Sequence, residues 1–553
     1  MRQIRLAPLA ALLLLLCQTA AAAQEVPTSP QLDAVVASSF KADEPGAAVL
    51  VMRDGKALLR KAYGLADVEL GVAIQPEHIF RIGSITKQFT AVAILQLVEQ
   101  GKISLADPIA KFFPDYPSEW KAITVEHLLT HTSGMPSYSS KDDFMSLIRT
   151  DLTPQQLIDT FKNDPLQFAP GERYASGNSD YVILGALIEK VTGQSYADYM
   201  ASNVFAKAGL THTSYDDPIR IIPKRVKGYD RNRGAIVNAR YVSPTIPYSA
   251  GSIISTVDDL ATWTDAVAAG KVVRRDLLDR AWTPYKLPSG EATGYGYGWA
   301  IDDLFGSRVI SHGGRVMGFT AYALWMPQEK VFVTILSNTD ASPVSTEYLA
   351  RRLATYAIGK PWNPVAIAMT AEQLGEYEGV YTIDDKTVRT LTVRDGTLFS
   401  QRTGGAPLAL LPRARDQFFY KDSFTTMSFE RGADGKITAM IVTQDGKPER
   451  AVRTADKAPE RAQITVAPEK LDRLTGRYQL APDRVVTIFR KGNELWARHW
   501  SGREMQLFAE SETKWFAKDA GIDFTFELDP SGKATVLQLN QGGRARPATR
   551  IGD

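Results

Sequence analysis

The run AAVLVMRDGKALLRKAYG (residues 47–64) carries two apolar stretches around a polar RDGK, the pattern of a β-hairpin with a tight turn. VFVTILSN (residues 331–338) reads as a further strand. Between them the apolar spacing becomes helical. Phe89, Val92, Leu95 and Val98 recur along Ser84–Glu99, and Gly101 closes that run. Residues Tyr181–Val191 and Tyr196–Ala208 read as helices as well. Strands early and late with helices between them predict an α+β domain, an antiparallel sheet flanked by helices whose terminal segments pair.

The pattern breaks at YAIGKPWNP (Tyr356 to Pro364), after which short alternating runs are separated by Gly/Asp turns. These runs repeat. Gly379 and Tyr381 recur as Gly476 and Tyr478, an offset of 97 residues, and the same offset pairs Phe399 with Trp496, Phe419 with Phe516, Phe429 with Phe526, Gly435 with Gly532 and Arg453 with Arg550. A period this long means duplicated domains, each a small antiparallel barrel or sandwich. The expected organisation is a targeting segment at 1–23, an α+β domain at 25–360, and two all-β, barrel-like domains at 368–456 and 467–553, joined by the polar DKAPERAQ linker.

Length and charge narrow the function. At 553 residues the chain exceeds one core, and 64 basic against 62 acidic residues, with no basic block, give no electrostatic footprint for nucleic acid. Arg2 and Arg5 precede an apolar stretch and an Ala-rich TAAAAQE, which predicts a signal peptide cleaved after Ala23. That stretch is short for a spanning helix and no later one is apolar enough, so no transmembrane segment is expected after its removal. Lipidation at Cys17, the only cysteine, is the alternative; Leu16 fits poorly before it. A mature chain without cysteine suits a bacterial periplasm or the medium.

Serine stands three residues before lysine at four places, beginning at Ser38, Ser84, Ser118 and Ser511, so the spacing alone carries little. Only Ser84 follows a glycine and leads straight into a long helical run. On a helix, positions i and i+3 share a face. Lys87 can then place its amine against the Ser84 hydroxyl, and a lysine half-buried among apolar neighbours loses its proton readily enough to serve as a base.

Two further stretches matter in combination. In YASGNSDYVILG, Ser176 and Asn178 stand before an apolar helix, where they suit either helix capping or a polar site. In SHGGRVMGF, His312 precedes two glycines and a strand pattern, either a turn histidine or a backbone exposed for a substrate to pair along. His127 and His131 have the i, i+4 spacing of a zinc pair. Glu126 precedes them instead of lying between, and no third ligand is near, so packing is the expected role and no metal or cofactor is expected.

With these stretches in order, GSITKQFTAVAILQLVEQGKISLADP, ITVEHLLTHTSGMP, YVILGALIEKVTGQSYADYM, PYSAGSIISTVDDLATW and SHGGRVMGF, the chain resembles the class C β-lactamase-related serine hydrolases over about residues 30 to 355. That family includes D-alanyl-D-alanine carboxypeptidases, D-aminopeptidases, esterases and β-lactamases, and the paired C-terminal domains resemble those of D-aminopeptidases. The resemblance implies Ser84 as the acylated nucleophile, Lys87 as its proton partner and Asn178 as a donor to the substrate amide. It puts His312, Gly313 and Gly314 on the strand beside the site, and the amides of Ser84 and Arg315 in the oxyanion hole. Where the family has tyrosine two residues before the asparagine, this chain has Ser176. Either Ser176 takes over the proton transfer or Tyr174 reaches in. The implied activity is hydrolysis of peptides containing D-amino acids, with an ester or β-lactam hydrolase and a slow-turnover penicillin-binding sensor as alternatives. The partner implied is a peptide or small-molecule substrate, and the oligomeric state is left open.

Overall fold

The computed structural model describes residues 29–552 apart from 233, 343, 445, 457–460, 482–483, 501, 519 and 542–543. The signal segment, its cleavage after Ala23 and Cys17 lie outside the described residues.

Six antiparallel strands form the central sheet in the order Ala300–Leu304, Ser307–Val316, Phe319–Met326, Val331–Ser337, Ala47–Arg53, Lys56–Tyr63. The hairpin turns at Asp54-Gly55, and Ala47 pairs with Ser337 through Arg53 with Val331, so the two ends of the domain close one sheet. AAVLV is apolar throughout because both its faces are covered. Ala48 and Leu50 face one core and Ala47, Val49 and Val51 the other. Helices Ser29–Ala37 and Thr346–Ala357 cover the second face. The larger core holds helices Thr86–Glu99, Asn178–Thr192 and Val257–Ala268.

The helix after Ser84 departs from the one-sided stripe its spacing predicted. Every residue from Thr86 through Leu97 is buried. Its polar side chains are satisfied by distant groups. Thr90 Oγ1 donates to Ser249 O (2.7 Å), and Gln96 Nε2 donates to Asn203 O and Val272 O (2.9 Å each). It is a central helix, not a surface one. The segment Tyr196–Ala208 is helical but contains a π-turn at Met200–Phe205.

Each C-terminal copy is a closed eight-stranded barrel with strands in sequence order, which resolves the barrel-or-sandwich alternative. The repeated residues are the ones this shape needs. Tyr381 and Tyr478, both fully buried, donate to Tyr377 O (2.9 Å) and Leu474 O (2.7 Å). Arg453 and Arg550 lie against Gly379 and Gly476, where a Cβ would come within 2.8 and 2.7 Å of the guanidinium Nε. The first barrel is seated on the α+β domain by an aromatic cluster of Phe305, Tyr348, Trp362 and Phe424, and Trp362 Nε1 donates to Ser423 O. Among the described residues no helix is long and apolar enough to cross a membrane.

Candidate active site

Ser84 sits in a single 3-10 turn, Gly83–Ile85, that feeds the buried helix. The preceding glycine is required twice over. Its φ is +51°, and a Cβ there would lie 2.6 Å from the amide nitrogen of Arg315. From the other side, a Cβ on Gly314 would lie 1.9 Å from Ile82 O and 3.2 Å from the Ser84 amide nitrogen. The strand Ser307–Val316 therefore presses backbone-to-backbone on the serine turn and brings the Ser84 and Arg315 amides to one place. This part of the strand has an open side. Ala300–Leu304 pairs only as far as Ser311, so from His312 onward the strand has a neighbour on one edge alone.

Lys87 is 3% exposed. Its Nζ lies 2.9 Å from Ser84 Oγ, 2.9 Å from Asn178 Oδ1 and 3.1 Å from Ala250 O. Burial pulls its pKa down to about 7, with the Asp180 carboxylate opposing. Three partners suit both protonation states. The ammonium donates to all three, whereas the neutral amine donates to Asn178 and Ala250 and turns its lone pair to the Ser84 hydroxyl.

Asn178 opens helix Asn178–Thr192 without capping it. Its side chain is held between Lys87 and Ser139, with Nδ2 donating to Ser139 Oγ (2.9 Å). Ser139 was not singled out in the sequence; its only signal is the serine-rich SYSS after the HTSG stretch. Ser176 is exposed, and Tyr174 packs against His131 and Tyr295, with ring centroids 6.1 and 5.7 Å away. Neither lines the cleft, which has a volume of about 580 Å³ and is walled by Ser84, Ser139, Asn178, Met317 and others.

His312 is fully engaged. Its Nδ1 lies 2.6 Å from Gly313 O and its Nε2 3.0 Å from the Tyr295 hydroxyl. A neutral ring donating from Nδ1 and accepting the Tyr295 proton at Nε2 satisfies both contacts. Burial and the nearby Lys87 depress its pKa to about 3, so it carries no charge at ordinary pH. Tyr295, on a loop 17 residues before His312, is a site residue that sequence reasoning missed.

The two zinc-spaced histidines part company. His127 lies on the short helix Val125–Leu129 and its Nδ1 accepts from Thr124 N in a capping box. His131 lies beyond it at φ +56°, buried, with Nδ1 2.7 Å from Asp180 Oδ2. Ser133 also donates to Asp180. Among the described residues no three His, Cys, Asp or Glu side chains are grouped to hold a metal ion.

A buried lysine on a serine hydroxyl, in a turn against which a strand packs backbone to backbone, fits a serine hydrolase with a β-lactamase fold. The chain belongs to the beta-lactamase family, whose pattern matches residues 31–358. A domain of unknown function, DUF3471, matches twice, at 363–454 and 460–549. Penicillin-binding protein 4* of Bacillus subtilis (strain 168) is 26% identical over 431 residues, covering 73% of this chain and 94% of that protein. The octameric penicillin-binding protein homologue from Pyrococcus abyssi superposes with a TM-score of 0.56 at 26% identity, over 77% of this chain and 98% of that one. A D-stereospecific amidohydrolase from Streptomyces sp. shares the fold, with a TM-score of 0.52 at 24% identity over 62% of this chain and 100% of that one.

Proposed function

We propose that the protein is an exported hydrolase that forms an acyl-enzyme on Ser84 and cleaves peptides containing D-amino acids. The observation that carries the acyl-enzyme is the Lys87 amine, buried, depressed to about 7 and 2.9 Å from Ser84 Oγ. Neutral Lys87 takes the Ser84 proton as Oγ attacks the carbonyl carbon. The developing oxyanion is met by the Ser84 and Arg315 amides, a pair whose members are each worth about 3 kcal/mol in the transition state. Lys87, now charged, keeps its proton between Asn178 and Ala250 until the leaving group takes it, and water hydrolyses the ester in the second half-reaction. The D-amino preference is supported by the penicillin-binding relatives and by the D-stereospecific amidohydrolase that shares the fold. Export rests on residues 1–23, with periplasm or medium as destination, and N-terminal sequencing of the secreted protein tests it.

Ser84→Ala should abolish labelling by a fluorophosphonate and by a fluorescent penicillin while leaving the unfolding transition in place. Labelling that persists in this variant removes the assignment. A panel of D-aminoacyl amides, D-Ala-D-Ala peptides, nitrophenyl esters and nitrocefin then ranks peptidase against esterase and β-lactamase.

One observation favours a second reading, a penicillin-binding sensor with little turnover. Where the family has its tyrosine this chain has the exposed Ser176, Tyr174 is turned into the aromatic cluster, and Tyr138, which does line the cleft, donates its hydroxyl to Ile246 O. Acylation and deacylation rates measured separately decide it, a long-lived adduct meaning sensor and fast release meaning enzyme.

A further inference from the structure

The two barrels share a frame but not an interior. In the first, one end is filled by a polar network. Arg389 Nη1 donates to Ser400 Oγ (3.3 Å) and to the Tyr420 hydroxyl (3.1 Å), which itself donates to Ser400 Oγ (2.9 Å). Glu449 closes it, 3.2 Å from Arg402 and 3.9 Å from Arg389. Shifted by 97 residues, Arg389, Ser400 and Tyr420 become Val486, Ala497 and Ala517, and the pair Arg402 and Glu449 becomes His499 and Arg546. Three small apolar side chains, all buried, thus stand where the first barrel has its polar plug.

The exchange opens a cavity of about 80 Å³ in the second barrel. Its buried part is apolar, formed by Val486, Ala497, Met505, Phe524 and Leu539. Eight strands enclose a space that side chains just fill or that holds one small ligand. On the scale where an apolar cavity of about 150 Å³ takes up benzene, this one fits an alkyl chain of about four carbons. The cavity also has an entrance. His499, Met505, Ile522 and Gln541 line both it and the crevice of about 710 Å³ between the two barrels.

Polar groups gather at the mouth. Arg546 is exposed there, and its guanidinium makes no hydrogen bond or ion pair with a described residue. In the first barrel the same position is an acid beside two arginines; in the second the charge is reversed, and no Asp or Glu lines the cavity. Trp500 is fixed at the mouth by the Arg484 guanidinium, 5.4 Å from its ring centroid, and by the His499 ring at 3.5 Å. The first barrel has Thr387 and Thr403 in place of Arg484 and Trp500, and Thr403 Oγ1 accepts from Val388 N (2.9 Å). A guanidinium beside an apolar pocket matches a carboxylate on a short alkyl chain by its paired N–H donors. With no acid in the lining, an ammonium group would find no partner, which disfavours a free amino acid.

We infer that the second barrel is a binding site for short aliphatic carboxylates, with the alkyl chain among Val486, Ala497 and Phe524 and the carboxylate on Arg546. The first barrel fills the same place with its own side chains. The site stands apart from Ser84 and holds whatever the reaction there.

The test is calorimetric titration of the full chain with pentanoate, with pentanamide, which lacks the charge, and norvaline, which adds an ammonium group, as matched probes. Wild type should bind pentanoate at one site and the other two about tenfold or more weakly. Arg546→Gln, at an exposed position, should weaken pentanoate about tenfold. Ala497→Leu, which puts a side chain into the cavity, should abolish binding. No binding to wild type, equal binding of the three compounds, or an unchanged affinity in Arg546→Gln overturns the inference. Binding that survives in a folded Ala497→Leu puts the ligand elsewhere and overturns it too.

Discussion

On the wall of the cleft that carries Ser84, each polar side chain is committed within the fold. Lys87 is buried with three partners, Asn178 is pinned between Lys87 and Ser139, and His312 has both ring nitrogens engaged. At the rim of the cleft the Arg315 side chain is 73% exposed, and Arg484, which lines the same cavity, is exposed as well, supported by a ring face. The first wall is built for one geometry at a cost in stability, because burying an amine this deeply opposes folding. The second can change its charge without disturbing a core. Chemistry therefore resides on the rigid wall and selectivity on the exposed one, and substitutions should divide the same way, with large effects on kcat from the first and modest effects on KM from the second.

The largest effect is expected at Lys87. Lys87→Met should slow acylation of Ser84 on the order of 10³-fold, the size of a lost general base. In wild type the acylation rate should rise with pH as the amine loses its proton, with a midpoint near 7. His312 should add no inflection near its ordinary value, because its ring is already neutral. Stability carries the same signature. The unfolded chain keeps the lysine proton up to 10.5 and the folded chain loses it near 7, so the unfolded state binds one more proton between those limits. Stability should thus rise with pH across that window, at about 1.4 kcal/mol per unit from this group. The penalty is complete below 7 and absent above 10.5. Urea unfolding of wild type and Lys87→Met at several pH values measures it, and equal slopes in the two proteins would remove the buried-amine account.

Next come two adjacent glycines that the comparison separates. At Gly314 a Cβ would collide with the backbone carbonyl of Ile82, and neither can move without opening the Ser84–Arg315 amide pair. At Gly313 a Cβ would come no closer than 3.4 Å to the Tyr322 ring and 3.9 Å to Ala321 O, ordinary contacts. Gly314→Ala should lower kcat about 100-fold or more, the cost of a lost oxyanion donor, while Gly313→Ala should stay within a few-fold. Similar losses from both would mean that the glycines serve strand flexibility instead of close approach.

How much of this was legible in the chain follows from sequence distance. Ser84 and Lys87 were readable because glycine, serine and lysine lie within one helical turn and glycine there has a steric cause. The strand pairing of residues 47–53 with 331–337 was readable because both runs are predominantly apolar. The all-round burial of the helix was not, since the groups that satisfy Thr90 and Gln96 come from residues 203, 249 and 272. Nor were Ala250 beneath Lys87 or Tyr295 on His312, one a backbone oxygen of no particular residue type and the other one of 21 tyrosines. The duplication was visible through Gly, Tyr and Arg residues that the barrel requires. The pair that distinguishes the copies, Arg484 and Trp500, left no repeat to notice.

The smallest effect tests the exposed wall, and it does so through a residue placed outside the Ser84 cleft lining. Trp500 is 37% exposed and supports Arg484 by its ring face, a contact worth about 0.5–1 kcal/mol at an exposed site. Trp500→Ala should therefore raise KM for a peptide substrate about two- to fivefold and leave kcat unchanged. Thr403→Ala, the matched change in the first barrel, should alter neither constant, although it removes an acceptor that its own barrel uses. Loss of kcat in Trp500→Ala would mean that the second barrel shapes the catalytic wall itself. Equal effects from the two barrels would mean that both act only through stability.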